Sequence, residues 1–232
     1  MLSRDKVLEV ASGLLEELGP DALTMRRIAV ELAVDPMSLY NYVDSREALL
    51  DGIALHFLEN LESVEPTGDL QTDMLAGANA FRRAAARRPR AATLLLTREL
   101  GSMTSLANTD AALGVLRRAG LTPEQSVRGF RAVFAFLVGT VLREVSVGPT
   151  FSGQDLGGLH ERRDELRDAG LRYAAESAHL LAVCDHTDEF DFGIHLILRG
   201  LEDLAREAAE TSGGQSVSAA GAVQRRHGPD AR

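Results

Sequence analysis

Apolar residues recur three and four apart along most of the chain. Val7, Leu8, Ala11, Leu14, Leu15 and Leu18 fall at i, i+3, i+4 and i+7, the stripe of an amphipathic helix. Ser3 stands where that helix needs an N-cap, and Gly19 where it stops. Thr24 starts a second short helix with Met25, Ile28, Ala29 and Leu32 inward. Residues 33–35 (AVD) make a break. Pro36 then suits the first turn of a third helix, predicted to run about seven residues to near Val43. Ser45 caps a fourth, with Ala48, Leu49, Ile53, Phe57 and Leu61 on one face.

Residues 63–69 (SVEPTGD) read as a connector, and helices are predicted over 70–87, 90–100 and 105–118. Gly120 ends the last of these. Thr122 and Gln125 form a capping box around Pro123, opening a helix predicted to reach about Val147. Residues 148–160 form a glycine-rich loop, followed by two helices near 161–183 and 187–210. From Thr211 onward periodicity is lost, and disorder is expected. No strand pattern emerges. The expected fold is all-α, with a three-helix unit over residues 1–50, a larger helical domain over 51–210 and a tail over 211–232.

Three short helices, the second and third joined by a tight turn, have helix-turn-helix form. The third must bury one face and turn the other outward. Leu39 and Val43, with Ile28, Leu32 and Val34, supply the buried face, leaving Met37, Ser38, Asn41 and Tyr42 outward. Asn41 can pair with adenine through two hydrogen bonds, Ser38 bonds to any base edge, and Met37 suits a thymine methyl. Tyr40, Tyr42 and Thr24 can donate hydroxyls to phosphates, and Arg46 can pair with the backbone.

The charge works against nucleic acid. The net charge is −9, and residues 1–52 hold five basic side chains against ten acidic ones. DNA contact here must be local and stereospecific, because long-range attraction is absent. Hydrophobic residues make up 45% of the chain, enough for a sizeable core, yet no apolar run nears the roughly 20 residues of a membrane span. Charged Arg4, Asp5 and Lys6 follow Leu2 without a signal-type apolar stretch. A cytoplasmic protein without membrane association is expected. Cys184, the single cysteine, reads as a small buried hydrophobe.

The stretch from Asp5 to Ile53 resembles the tetracycline-repressor (TetR) family. The resemblance centres on LTMRRIAVELAVDPMSLYNYVDSREALL, above all Leu39–Val43 and the Ser-Arg-Glu-Ala-Leu-Leu that follows. It implies that Arg26, Met37, Ser38 and Asn41 face bases, while Thr24, Tyr40, Tyr42 and Arg46 touch phosphates. Two positions depart from the family pattern. Ala33 replaces the usual turn glycine, suggesting a turn that needs no left-handed residue, and Arg46 replaces a lysine and keeps the charge.

Later segments (AGLTPEQSVRGFRAVFAFLVGTVLRE and FDFGIHLILRGLEDLAREA) resemble the effector and dimer domain of the same branch. The resemblance implies a repressor that binds a palindromic double-stranded DNA operator as a homodimer and is released by a small-molecule effector. Phe130, Leu137, Val141, Phe192, Leu196 and Leu201, with Phe134, can form the seam between copies, with ordinary intrachain core as the alternative. Candidate pocket residues are Phe81, Leu95, Met103, Phe134 and Phe151, which can also be core.

No metal or cofactor is expected. The family's metal and drug positions align with Leu61, Leu95, Arg98 and Arg143, and neither leucine nor arginine ligates magnesium. Arg98 and Arg143 can favour an acidic effector or simply be solvated. The run Arg82, Arg83, Arg87, Arg88, Arg90 reads as a salt-bridged helix face, with a second DNA backbone contact as the alternative. No nucleophile elbow, phosphate loop or ligand cluster points to an enzyme.

Overall fold

The computed structural model describes residues 2–98, 103–145, 162–181 and 185–223. Among these residues the chain is helical, with no strand. The first four helices are α1 (Arg4–Leu18), α2 (Met25–Glu31), α3 (Pro36–Leu39) and α4 (Arg46–Glu59). Then come α5 (Leu70–Arg87), α6 (Pro89–Thr97), α7 (Met103–Arg118) and α8 (Pro123–Val145). The last three are α9 (Arg163–Asp168), α10 (Arg172–Leu181) and α11 (His186–Val223).

Local caps set most of these starts. Ser3 accepts from the Lys6 N–H at 3.2 Å, Thr24 from Arg27 at 3.2 Å and Ser45 from Ala48 at 3.1 Å. The Thr122 N–H donates to the Gln125 side chain and the Gln125 N–H to the Thr122 hydroxyl, completing the capping box. The connector before α5 is held by Asp73, which accepts from the Thr67 N–H, the Thr67 hydroxyl and the Gly68 N–H.

Two apolar clusters organise the molecule. The first joins α1, α2, residues 36–43 and α4 to the end of α5 and to α6, around Val7, Leu8, Ile28, Leu39, Leu49 and Ile53. The second joins α5, α7, α8 and α11 around Leu116, Leu121, Val133, Phe190, Ile194 and Leu198. Helix α8 is long and apolar enough in composition to cross a membrane, but it packs on α5, α6, α7 and α11. Close helix approach depends on small residues. A Cβ at Gly52 of α4 would lie 2.7 Å from Leu8, and one at Gly129 of α8 would lie 2.6 Å from Leu201.

The structure departs from the sequence pattern at three places. One helix was expected over 161–183, but Gly170 at φ 77° ends α9, and α10 begins at Arg172. The Gly170 N–H reaches the Arg167 carbonyl and the Leu171 N–H reaches Leu166, a terminating pattern that needs the left-handed residue. Helix α3 stops at Leu39 and continues as turns through Tyr42, short of Val43. The backbone of α11 stays helical to Val223, past the loss of periodicity at Thr211. The loop 148–160, Cys184 and residues 224–232 lie outside the described residues.

Candidate nucleic-acid interface

Helix α2 ends in a full Schellman arrangement. The Ala33 N–H donates to Val30 and the Val34 N–H to Ala29, at 3.1 and 3.0 Å. Ala33 sits at the left-handed position with φ 53°, the one non-glycine residue at positive φ among the described residues. The expectation that this turn needs no left-handed residue is therefore corrected. The turn keeps the geometry that favours glycine, and alanine adopts it under strain. The Asp35 carboxylate then accepts from the Met37 N–H at 2.8 Å and starts α3, with Pro36 at its first position.

The turn aims the recognition segment. Leu39 and Val43 are buried with Ile28, and Leu32 and Val34 pack beside them. Met37 is 73% exposed, Tyr40 44% exposed, and Asn41 and Arg26 are exposed as well; Ser38 is half-buried. Thr24 caps α2 through its oxygen as an acceptor, which leaves its hydroxyl proton free to donate.

Two of the candidates have structural partners. The Tyr42 hydroxyl donates to the Leu2 carbonyl at 3.1 Å, tying the start of the chain to the recognition segment. Its one proton is thus engaged within the fold. Arg46 donates from Nη2 to the Pro20 carbonyl at 2.6 Å and lies 3.8 Å from Glu47. A guanidinium has five N–H groups, so others remain for a phosphate.

The effector half distributes its candidates differently. Phe81 is buried and meets Phe57 edge-to-face at 5.8 Å, and Leu95 is half-buried in the same cluster. Phe134 is 40% exposed and stacked on Phe130 at 5.9 Å. Phe151 and the Met103 side chain lie outside the described residues. Two clefts occur. One of about 480 Å³ is lined by Glu62, Val64, Thr72, Leu75, Asn79 and Arg83. The other, of about 380 Å³, is lined by Arg82, Ala86, Pro89, Glu144 and His186. Of the described candidates, Phe81, Leu95 and Phe134 line neither.

The seam candidates also divide. Leu137, Val141 and Leu201 are buried within the protomer and Phe130 is half-buried, whereas Phe192 is 68% and Leu196 55% exposed, one turn apart on α11. Four of the five arginines of the run form ion pairs, while Arg90 donates to the Leu15 and Glu16 carbonyls. Arg82 meets Glu144 at 2.8 Å, Arg83 and Arg87 meet Glu62, and Arg88 meets Glu9. Arg98 pairs with Asp51 and Glu47. Among the described residues no group of three or more His, Cys, Asp or Glu is placed to hold a metal ion.

A short outward-facing segment fixed by one buried face, after a tight turn on a three-helix unit, defines a helix-turn-helix DNA-binding regulator. Residues 7–53 match the family model for bacterial regulatory proteins of the tetR family, and residues 63–205 match the tetracyclin repressor-like C-terminal domain. The chain belongs to the tetR family, whose members are DNA-binding transcriptional regulators and not enzymes. It is 31% identical over 209 residues to an HTH-type transcriptional regulator of Saccharopolyspora erythraea, covering 88% of this chain and 86% of that one. It is 29% identical over 209 residues to the class A tetracycline repressor of Escherichia coli transposon 1721, covering 86% and 90%. Among solved structures, Streptomyces coelicolor ActR in complex with actinorhodin superposes with a TM-score of 0.76 at 26% identity, over 88% of this chain and 99% of that one.

Proposed function

We propose that the chain is a ligand-responsive repressor that binds a palindromic operator as a homodimer in the cytoplasm and is released by a small molecule. The observation that carries the reading is the recognition segment. Its Leu39 and Val43 are buried while its Met37 and Asn41 stand exposed, and Arg26 is exposed on the preceding α2. In this reading Arg26, Met37, Ser38 and Asn41 meet base edges, and Thr24, Tyr40 and Arg46 meet phosphates. Tyr42 acts by holding Leu2 and packing the segment.

Dimer formation is supported by exposed apolar residues on two packed helices, Phe134 on α8 and Phe192 and Leu196 one turn apart on α11. A second copy is the occupant that suits a two-headed reader, since half-sites lie roughly 34–36 Å apart. The release step is supported by kinship with repressors and with ActR, which has been solved with actinorhodin and with (S)-DNPA. Ligand binding would shift the population away from the head spacing that fits DNA.

The test is sedimentation together with gel-shift titration on DNA from upstream of the protein's own gene. The reading expects a dimer in solution and two protomers on each retarded duplex. A monomer, or no retarded species at low salt, contradicts it.

A further inference from the structure

Helix α6 has no side-chain cap of its own: Arg88 occupies the capping position and makes no cap bond. Helix α1 has no basic residue in its last turn. Each deficiency is met by the other helix. The Glu16 carboxylate, near the end of α1, accepts from the Arg90 N–H at 3.1 Å and the Ala91 N–H at 2.9 Å. These are the second and third positions of α6, whose N–H groups a cap normally satisfies. In return the Arg90 guanidinium donates from Nη1 to the Leu15 carbonyl at 3.0 Å and the Glu16 carbonyl at 2.7 Å, at the C-terminal end of α1. The two charges thus complement opposite helix dipoles, an anion at an N-terminus and a cation at a C-terminus.

A neighbouring contact adds to the exchange. Arg88 donates to Glu9 at 2.8 Å and to the Ser12 hydroxyl at 3.0 Å, both on the same side of α1. The DNA-binding head meets the effector half through α1 on α6 and through α4 on α6 and α7. Beside the exchange, Val7, Leu8, Ala11 and Leu15 are buried with Ile28, Leu39 and Leu49 in a cluster that also takes in Ala91 and Ala92 of α6.

We propose that Glu16 and Arg90 are positioning residues for DNA binding: by capping each other's helix they set the angle at which the head leaves the effector half. The proposal rests on the head being the DNA-reading part, and its operator arm also rests on two heads acting together. It differs from an ion pair in a testable way. An arginine at position 16 cannot accept the two α6 N–H groups, and a glutamate at position 90 cannot donate to the α1 carbonyls. Swapping the charges therefore does not restore the link.

The experiment uses the full chain with Cys184→Ser and spin labels at Val30→Cys and Ala111→Cys, exposed sites on α2 and α7. Dilution with unlabelled protein keeps the measured distances within one chain. The parent should give one narrow distance population. Glu16→Ala and Arg90→Ala should each broaden it and raise the Kd for the upstream duplex about five- to tenfold. Glu16→Gln, which keeps one acceptor, should be intermediate, and the swap Glu16→Arg with Arg90→Glu should stay broad. Distances as narrow as the parent's in both alanine variants, or restored by the swap, would overturn the proposal. If the parent binds a single half-site as tightly as the full duplex, the two-headed reading fails instead, and the distance widths alone decide the proposal.

Discussion

Arg98, at the end of α6, meets Asp51 of α4 through Nε at 2.5 Å and reaches Glu47 with Nη2 at 2.8 Å. The Asp51 hydrogen bond, with that of Glu47, holds the guanidinium above its ordinary pKa. Glu47 lies in the first turn of α4, directly after the Ser45 cap, so the tie ends beside the recognition segment.

Both carboxylates are substantially solvated, so the link is weak in isolation. Arg98→Ala should lower unfolding stability by about 0.5–1 kcal/mol, less at high salt. A double-mutant cycle with Asp51→Ala, read by urea unfolding, should return a coupling of that size. A coupling of zero would show that the contact adds nothing to stability.

Ala33 offers a gain. An L-residue in the left-handed region costs about 1–2 kcal/mol, and the exposed methyl packs on little. Ala33→Gly should therefore raise stability by about 1 kcal/mol, offset in part by the freer unfolded chain. An upward shift in thermal midpoint with unchanged DNA affinity is expected. A downward shift would mean that the turn is not strained.

Tyr42→Phe removes the hydroxyl that holds Leu2 and keeps the ring. Losing that half-buried hydrogen bond should cost about 1 kcal/mol of stability. Base preference should be unchanged. A loss of DNA affinity with no loss of stability would return the hydroxyl to the phosphate role.

The acid limb of stability should depend on Asp73 and Glu9. Hydrogen bonds from Thr67, the side chain first and then the backbone, hold the Asp73 carboxyl below its ordinary 3.8, with Gly68 adding to them. Arg88 and then His56 hold Glu9 below its ordinary 4.5. A carboxylate depressed in the folded state binds protons more weakly there than when unfolded. Its contribution is complete above the unfolded value and is lost as pH falls through the folded one. Thermal midpoints should be level near neutrality and fall once the pH drops below about 4.5. Asp73→Asn should be less stable at neutral pH and lose less on acidification, and an equally steep acid limb would contradict the assignment.

Much of this architecture is written locally. Ser3, Thr24, Ser45 and the Thr122–Gln125 box each satisfy donors within three residues, so residue type alone marks those helix starts. The buried pair Leu39 and Val43 follows from helical spacing in the same way. At Ala33 the left-handed position carries no glycine, so residue type does not mark that turn. Gly170 carried a stop signal inside a run that otherwise reads as one helix.

Other features have no local trace. Glu16 and Arg90 are 74 positions apart, and Tyr42 lies 40 from Leu2, so only the folded chain joins them. Periodicity likewise marks which residues are apolar but not what covers them. It therefore could not separate buried Leu137, Val141 and Leu201 from exposed Phe192 and Leu196.

In the proposed function the segment from Pro36 to Val43 reads bases. Selecting binding sites from random-sequence duplexes at fixed salt, with the parent and with Asn41→Ala, tests it most directly. The parent should return two symmetric half-sites roughly 34–36 Å apart. Asn41→Ala should lose preference at one position in each half, at a cost of about 1–3 kcal/mol, with the other positions intact. An unchanged preference in Asn41→Ala would contradict the account.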